Sequence, residues 1–407
     1  MKIINPATEE VIREIQEDTK DGVEKKFQLL RGAQPSWQNI PLEKRVSILK
    51  SFSDLLEKNI ESLATTLTAE VGKPLQQSRN EVNGARSRIK WMTENASKYL
   101  TDETMTRDTG LEERISYEPL GVICNISAWN YPYLVGVNVF VPALLAGNAV
   151  MYKPSEYATL TGFEIERLLK EASVPAEVFQ VATGGKETGE RLLDLSFDGY
   201  FFTGSYRTGK YIYERVAPKM VPCQCELGGK DPLYVADDVA DVKSVAIATA
   251  DGAFYNNGQS CCAVERIYVH EKIYDRYVND FIKEVGSWKI GNPADTETYI
   301  GPLTRKDQLT VIDYQVTEAV QRGATVAVGG NRINRKGHYF EPTVLINVSH
   351  NMTVMREESF GPVIGIMKVK SDEEAVALMN DTNYGLTASV YSSDGDRAKK
   401  ILSQVNS

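Results

Sequence analysis

Apolar residues recur at helical spacing through most of residues 19–98, and charged residues occupy the positions between them. The run at 46–56 shows the pattern best, because its apolar side chains fall near a period of 3.6 residues. This periodicity predicts a helical N-terminal segment. From Glu113 the pattern changes, and residues 114–121 predict a strand that ends in a turn.

Beyond this point, short apolar runs alternate with helical patterns. The first block predicts strands at 122–126, 149–153, 178–182 and 199–203 and helices at 161–172 and 205–216. The second block predicts strands at 233–235, 266–269 and 389–391 and helices at 241–256 and 396–404. This alternation indicates an α/β fold with parallel sheets and helices on their faces, divided near residues 227–229.

The longest apolar stretch, at 133–150, contains Asn138, Pro142 and Gly147. It therefore predicts a buried helix that leads into a strand, and no membrane partner is expected. The N-terminus reaches Pro6 too early for the apolar core of a secretion signal. Five cysteines without spaced pairs favour a reducing compartment. We therefore expect a cytoplasmic protein.

Length and charge narrow the classes of function. A chain of 407 residues exceeds the size at which a single core keeps growing, so two or three domains are expected. The net charge of −9 argues against a nucleic-acid partner, which would require clustered Lys and Arg. A small-molecule partner is favoured instead.

Cys261 is the strongest candidate for chemistry, and it has no obvious histidine partner. The chain has three histidines, none of them in a catalytic motif. The polar, glycine-containing run at 256–260 is unusual for a core position, whereas Cys262 is better explained as an ordinary buried cysteine. If a helix begins after Cys261, its amides would lower the thiol pKa and could bind an oxyanion.

Glu226 is the candidate base for this thiol. It lies between a strand-like stretch and Gly228, and its apolar flank predicts burial, which would suit a general base. Read alone, it is equally a solvated or paired carboxylate. Sequence spacing does not show that it reaches Cys261.

Three further segments suit a nucleotide or an oxyanion. The turn at 202–209 offers Ser205 and helix N-terminal amides to a phosphate, although its glycines do not form the dinucleotide fingerprint. Lys153 and Glu156 follow a strand and could bind ribose hydroxyls. Asn130 lies in an aromatic turn and its amide can donate to an oxyanion. Taken alone, each segment is equally well explained as a structural turn.

Together these segments closely resemble the aldehyde dehydrogenase superfamily over essentially the whole chain. The matching segments, in order, are 5–8, 70–74, 127–133, 152–156, 202–209, 225–230, 254–261, 301–303, 356–363 and 383–386. The resemblance implies a Rossmann-like cofactor domain (1–107 and 122–228), an oligomerisation hairpin (108–121) and an α/β catalytic domain (229–407). It also implies NAD-dependent oxidation of an aldehyde to a carboxylic acid.

The resemblance assigns roles residue by residue. Cys261 matches the nucleophile that forms a thiohemiacetal and then a thioester, and Glu226 the base that activates water to hydrolyse it. The Asn130 amide and the backbone N–H of Cys261 match the oxyanion hole, and Lys153 joins this catalytic set. The residues that match cofactor contacts are Ile126, Ser127, Trp129, Lys153, Ser155, Glu156, Gly189, Thr203, Gly204, Ser205, Leu227, Gly228, Glu358 and Phe360. Those expected at the substrate pocket are Tyr133, Leu134, Asn138, Ser260 and Cys262.

The departures from the family leave alternatives open. Ala128 and Tyr131 stand where the family usually has proline and phenylalanine, which should alter pocket shape more than chemistry. Family members normally continue for several tens of residues, so we expect a missing C-terminal tail and last oligomerisation strand, with a homodimer or homotetramer at full length. Other readings are an acylating, coenzyme A-dependent dehydrogenase, an ester hydrolase, and a truncated inactive form or a non-catalytic structural or binding relative.

Overall fold

Five parallel strands form the centre of the first of the two units into which the chain divides. The structure is a computed structural model that describes residues 1–406. The first unit comprises Met1–Ile4, Val11–Glu70 and Ser78–Glu226, and the second comprises Asn5–Glu10, Val71–Gln77 and the chain from Leu227 onward. The predicted catalytic domain includes Ser407, which lies outside the described residues.

The first unit contains most of the helices. Its elements, in chain order, are β1 (Lys2–Ile4), β2 (Val11–Glu14), α1 (Lys20–Gln38), α2 (Leu42–Lys58), α3 (Ile60–Val71), α4 (Leu75–Leu100), β3 (Glu103–Asp108), β4 (Leu111–Ile115), β5 (Val122–Ile126), α5 (Pro132–Leu145), β6 (Ala149–Lys153), α6 (Thr159–Glu171), β7 (Phe179–Val181), α7 (Lys186–Asp194), β8 (Gly199–Thr203), α8 (Tyr206–Val216) and β9 (Cys223–Glu226). The predicted N-terminal helical segment is thus confirmed as α1–α4.

The main sheet has the strand order β7-β6-β5-β8-β9. All four pairings are parallel. Strand β6 is buried along its whole length, as expected for a parallel strand covered on both faces, and such a strand reads as a continuous apolar run. This is why the sequence predicts it well. Each fully buried aliphatic side chain contributes roughly 1.5–3 kcal/mol relative to exposure.

The β3–β4 hairpin differs from its predicted position. It spans 103–115 and not 108–121, and every one of its strand residues is exposed. Gly110 makes the turn with φ +91°, a conformation that favours glycine. Because neither strand has a buried face, no apolar alternation marks its limits in the sequence.

The second unit is built on a six-stranded sheet with the order β12-β13-β14-β11-β10-β15. Only β12 is antiparallel to its neighbour. The elements are β10 (Asp231–Val235), α9 (Val242–Phe254), β11 (Val264–His270), α10 (Tyr274–Ser287), α11 (Lys306–Gln321), β12 (Thr325–Val328), β13 (Thr343–Ile346), α12 (Thr353–Arg356), β14 (Val363–Val369), α13 (Asp372–Asn380), β15 (Ser389–Tyr391) and α14 (Gly395–Leu402).

Two of the second unit's long-range contacts explain its boundaries. Segment 5–10 belongs to it because, among other bonds, the His338 amide donates to the Pro6 carbonyl at 2.9 Å. The last helix is held by Arg397, which forms ion pairs with Asp237 (2.9 Å) and Asp372 (2.7 Å). Neither contact leaves a periodic signal in the sequence.

The apolar stretch at 133–150 is a buried helix followed by a strand, as predicted. Proline at the first position of α5 suits the start of a helix. Across residues 1–406, no helix combines the length and the apolar character needed to cross a bilayer.

Candidate active site

Four strands of the first unit end in one row. Ile126 of β5 pairs in register with Lys153 of β6, and its neighbour on the other side is Phe202 of β8. Thr203 of β8 pairs with Glu226 of β9. Because the strands are parallel, these residues mark the carboxyl edge of the sheet. The fold therefore gathers predicted site residues that are far apart in the sequence.

The carboxyl edge is also the point where the strand order reverses. The first strand, β5, lies in the middle, with β6 and β7 on one side and β8 and β9 on the other. Ligands of open α/β sheets bind in the crevice outside the strands at such a point. The row continues into the loops, because the Ser127 amide donates to the Lys153 carbonyl (2.9 Å) and the Gly204 amide to the Glu226 carbonyl (3.0 Å).

Polar groups suited to a ribose follow β6. Lys153 is buried, and its Nζ donates to the Pro154 carbonyl at 3.2 Å. Burial lowers the pKa of Lys153, and the Glu156 carboxylate opposes this shift. Glu156 itself is exposed and accepts a hydrogen bond from the Ser155 hydroxyl at 3.3 Å. Gly189 lies beside the lysine, since a Cβ built there would be 3.9 Å from Lys153 Cε.

The turn after β8 leads directly into an 11-residue helix, α8. Ser205 is its N-cap, and the Ser205 hydroxyl accepts a hydrogen bond from the Thr208 amide at 3.4 Å. The preceding Gly204 has no space for a side chain, because a Cβ there would be 2.5 Å from the Phe202 ring. Amides at a helix N-terminus are suited to phosphate.

The loop after β5 holds Trp129 and Asn130. The Trp129 ring meets Tyr157 edge-on, with 6.4 Å between ring centroids. Asn130 is buried, and α5 begins two residues later at Pro132. The loop is therefore confined between a buried strand and a helix start, which limits the movement of the Asn130 amide.

Helix α5 divides the expected substrate-pocket residues between two faces. Leu134 is half-buried and Asn138 is exposed, and their i, i+4 spacing places them on the same face. Tyr133 is fully buried instead, and burial followed by the charges of Glu70 and Glu81 raises its pKa. Because Tyr133 lies in the interior of the unit, we do not include it in the proposed substrate pocket.

Glu226 ends the edge strand β9 and is exposed, in contrast to the burial that its flank predicts. The reason is the position of the strand, since its alternate residues Cys223 and Cys225 are only half-buried. An exposed carboxylate can exchange protons with solvent.

In the second unit, an unusual backbone precedes Cys261. Asn256, Asn257 and Gly258 all have positive φ angles, of 55°, 58° and 70°. Helix α9 therefore ends at Phe254, two residues earlier than predicted. Left-handed backbone is unfavourable for most residues, but asparagine tolerates it better than other side chains. The Asn-Asn-Gly sequence suits this turn.

Buried amide side chains fix that turn. Asn257 Nδ2 donates to the carbonyls of Gly301 and Pro302, each at 2.8 Å, and Asn257 Oδ1 accepts from the Gly301 amide at 3.1 Å. Gln259 Oε1 accepts from the Thr304 amide at 3.0 Å. These bonds tie the residues before Cys261 to the segment 301–304. The thiol is therefore carried by a rigid loop.

No helix begins directly after Cys261. The Ala263 amide donates to the Ser260 carbonyl at 3.2 Å, and strand β11 starts at Val264. The condition that a helix begins at the thiol is therefore not met, and the strand predicted at 266–269 is confirmed within β11. Any activation of the thiol must come from side chains or single amides.

The two adjacent thiols interact. Cys261 is half-buried, whereas Cys262 is exposed, which differs from the core position expected for Cys262. Interaction with the Cys261 thiol, assisted by the Ser260 hydroxyl 3.4 Å from the Cys262 sulfur, lowers the pKa of Cys262. The same contact, together with burial, raises the pKa of Cys261.

Gly228 and Gly229 bring two predicted site residues together. A Cβ on Gly228 would collide with the Glu358 carboxylate, and a Cβ on Gly229 would lie 3.2 Å from the Cys261 carbonyl. The Gly229 amide also donates to Glu358 Oε1 at 3.3 Å. The thiol loop and the Glu358 loop therefore flank the same two glycines. Only residues without side chains allow this approach.

Glu358 is an unusual carboxylate. Burial, followed by repulsion from the Glu265 carboxylate, raises the pKa of Glu358 to about 7. The sequence prediction identifies Glu358 and Phe360 but misses Lys230 and Glu265, which surround them. Asp231 and Glu265 are charged residues at the start of otherwise apolar strands. This placement was the sequence signal that could have drawn attention to the missed residues.

Comparison with known proteins identifies the family. The model of the aldehyde dehydrogenase family matches residues 1–407. The chain belongs to the aldehyde dehydrogenase family. It is 34% identical over 395 residues to 3,6-anhydro-alpha-L-galactose dehydrogenase of Vibrio sp. (strain EJY3), covering 96% of this chain and 82% of that protein.

Two other relatives differ in the cofactor that their names give. An NADP(+) succinate-semialdehyde dehydrogenase of Deinococcus radiodurans is 33% identical over 371 residues, covering 91% of this chain and 77% of that protein. The crystal structure of an indole-3-acetaldehyde dehydrogenase complexed with NAD+ has a TM-score of 0.96 and 30% identity, and the match covers 100% of this chain and 83% of that one. This aldehyde dehydrogenase is therefore an NAD(P)-dependent oxidoreductase that oxidises an aldehyde to a carboxylic acid.

The first unit's residues fit such a dinucleotide. Its crevice offers helix amides and Ser205 for phosphate and the Lys153–Glu156 pair for ribose hydroxyls. Gly204 keeps the phosphate turn free of a Cβ, as a close approach of backbone to ligand requires. The chemistry of these groups therefore suits a ribose and a phosphate of the cofactor.

The raised pKa of Glu358 predicts a pH-dependent effect on stability. In the folded protein Glu358 keeps its proton up to about pH 7, whereas the ordinary pKa of a glutamate is about 4.5. Unfolding therefore releases a proton in this window, and the contribution of Glu358 to stability falls as pH rises. The unfolding free energy of Glu358→Gln minus that of wild type should therefore increase by about 1–3 kcal/mol between about pH 5 and pH 7.

Urea unfolding at several pH values measures this difference. Glu357→Gln replaces the exposed neighbour and serves as the control. A difference between wild type and Glu358→Gln that stays constant with pH would contradict the prediction.

Proposed function

We propose that Cys261 is the nucleophile of this aldehyde dehydrogenase. The observation that carries the proposal is the contact of its loop and of Glu358 with the same glycine pair, Gly228–Gly229. That arrangement brings a thiol loop next to a carboxylate suited to a ribose. Attack of the Cys261 sulfur on the aldehyde carbon forms a thiohemiacetal. NAD(P) held at Glu358 and Phe360 would supply the hydride acceptor, and loss of the hydride from the thiohemiacetal leaves a thioester on Cys261.

Charge on the aldehyde oxygen is stabilised by two donors, the Asn130 amide and the backbone N–H of Cys261. Each donor of this kind contributes roughly 2.7–4 kcal/mol to the transition state. The rigid loop before Cys261 supports this role, since a preorganised N–H needs no rearrangement during the reaction.

Glu226 acts as the general base. It removes a proton from the Cys261 thiol and later from the water that hydrolyses the thioester, which releases the carboxylic acid. Its exposure supports the role, because the proton must afterwards reach solvent. The presence of this carboxylate favours hydrolysis over transfer of the acyl group to coenzyme A.

The cofactor residues divide by unit. In the first unit, Ile126, Ser127, Trp129, Lys153, Ser155, Glu156, Gly189, Thr203, Gly204 and Ser205 hold the adenosine and pyrophosphate part. In the second unit, Leu227, Gly228, Glu358 and Phe360 hold the nicotinamide half. NAD is the proposed cofactor, because the exposed Glu156 carboxylate would accept from ribose hydroxyls and repel a 2′-phosphate.

The proposed substrate is an uncharged aldehyde. The proposed lining consists of Leu134, Asn138, Ser260 and Cys262. It includes no cationic side chain that would pair with a carboxylate on the substrate. The exposed β3–β4 hairpin is the proposed element of assembly into a homodimer or homotetramer. Five free thiols support a cytoplasmic location.

Replacing each thiol in turn tests the nucleophile. Cys261→Ala should reduce aldehyde oxidation to background while NAD still binds, because the thioester cannot form. Cys262→Ala should retain turnover within about tenfold, and its pH profile should shift because the thiol that shares the proton is lost. Steady-state NADH production measures both variants. If Cys261→Ala still oxidises the aldehyde and Cys262→Ala does not, Cys262 is the nucleophile instead.

Glu226→Gln tests the base. We expect kcat to fall by about 10²–10⁴, the usual contribution of general base catalysis. If the hydrolysis step is the one that slows, a burst of NADH should precede the slow steady state, since the acyl-enzyme accumulates. Rapid-mixing fluorescence measures the burst. Glu214→Gln, on α8, provides a charge-matched control. An unchanged steady-state rate would remove Glu226 from the mechanism.

Glu156→Gln tests the cofactor preference. The ratio of kcat/KM for NADP to that for NAD should rise roughly fivefold, because a well-solvated carboxylate close to the 2′-phosphate contributes about 1 kcal/mol of repulsion. Glu171→Gln, an exposed carboxylate at the other end of α6, should leave the ratio unchanged. Equal use of both cofactors by the wild type would contradict the assignment.

A further inference from the structure

A single buried carboxylate holds the loop that contains Glu358 and Phe360. Glu265 Oε2 accepts a hydrogen bond from the Ser359 amide at 2.8 Å, and Glu265 Oε1 accepts one from the Phe360 amide at 2.9 Å. The two oxygens thus engage two consecutive backbone amides. Glu265 belongs to β11, a strand that follows the thiol loop directly. The carboxylate therefore links the rigid sheet to the loop.

Lys230 completes this arrangement. Its ammonium lies 2.6 Å from Glu265 Oε2 and donates to the Ser359 hydroxyl at 2.9 Å. The side chains of Lys230 and Glu265 are 0% and 6% exposed, so the pair is withdrawn from solvent. A buried ion pair retains its geometry because every departure leaves an uncompensated charge. We call Lys230 and Glu265 the loop clasp.

The loop that the clasp holds has a strained backbone. Phe360 has φ +46°, which is uncommon for a residue with a large side chain. Such a conformation persists only when surrounding contacts determine it. Gln308 Nε2 adds a bond to the Ser359 carbonyl at 2.6 Å, and Gln315 Nε2 adds one to the Glu358 carbonyl at 3.3 Å. The clasp supplies an acceptor for each of the Ser359 and Phe360 amides.

We propose that Lys230 and Glu265 are positioning residues for the cofactor, which fix Glu358 and Phe360 at the nicotinamide half without taking part in thiol chemistry. The proposal rests on the proposed function, in which Glu358 and Phe360 contact the cofactor. Cys261 is held separately, through Asn257 and Gln259. Loss of the clasp should therefore weaken cofactor binding and spare acyl transfer to the thiol.

The test replaces both charges together, because removal of one alone would leave a buried unpaired charge. In Lys230→Met/Glu265→Leu the KM and the dissociation constant for NAD should rise tenfold or more. Hydrolysis of p-nitrophenyl acetate without cofactor, which requires the thiol but not the loop, should stay within about threefold of wild type. Activity assays and titration of NADH fluorescence measure these quantities.

Two further variants separate positioning from general stability. Arg397→Met removes an ion-pair network of the same unit that contacts neither Ser359 nor Phe360, and it should leave the KM for NAD unchanged even where the melting temperature falls. Ser359→Ala removes only the hydroxyl that Lys230 contacts and should raise the KM for NAD to a smaller extent. The milder variant keeps the test decisive if the double variant does not fold.

An unchanged KM for NAD in folded Lys230→Met/Glu265→Leu, or in Ser359→Ala when the double variant is unfolded, overturns the proposal. Equal losses of ester hydrolysis and NAD binding overturn it as well, since they indicate a structural role alone. Failure of the proposed function would look different, because wild-type protein would then neither bind NAD nor produce NADH from aldehydes.

Discussion

The candidate site depends first on a constraint of parallel sheets, whose strands all end at the same edge. Ile126, Lys153, Thr203 and Glu226 are separated by long helical connections, yet the register of β5, β6, β8 and β9 sets them in one row. Each connection returns the chain to the opposite edge, so chemistry placed after a strand always emerges on this side. The fold thereby collects the polar groups while the helices bury the sheet.

A second constraint operates around the thiol, where rigidity comes from buried polar groups. Asn257 and Gln259 hold a left-handed turn, and Lys230 and Glu265 hold the strained loop at Phe360. Buried polar groups of this kind are unfavourable unless all their partners are present. Their hydrogen bonds therefore specify one backbone arrangement more strictly than apolar contacts would. Precise placement is what a reaction between a fixed sulfur and a bound cofactor requires.

The sequence predicts best what depends on local pattern. Strand β6 and helix α5 follow from continuous apolar runs, and the ordered motifs, that around Cys261 among them, together identify the family. Prediction from the sequence fails where residues that are distant in the chain determine the local structure. Glu226 is exposed because β9 lies at the edge of its sheet, and strand order is not encoded in a local run. The strand predicted at 266–269 begins earlier, at Val264, and its pairing with β10 and β14 leaves no room for a helix after Cys261.

Burial also gives some carboxylates of this protein pKa values that are typical of histidine, a residue that the motifs lack. None of the three histidines belongs to a motif of the candidate site, yet the reaction needs groups that exchange protons near neutrality. Desolvation raises the pKa of Glu358 to about 7 and that of Asp231 to about 6, so carboxylates in the second unit titrate in the range of histidine. The same shift disfavours their charged forms in the folded state and lowers stability as pH rises through this range. The buried carboxylates of the second unit thus lower stability at neutral pH, and hydrogen bonds from the Gly229 amide to Glu358 and from the Thr387 hydroxyl to Asp231 oppose this effect.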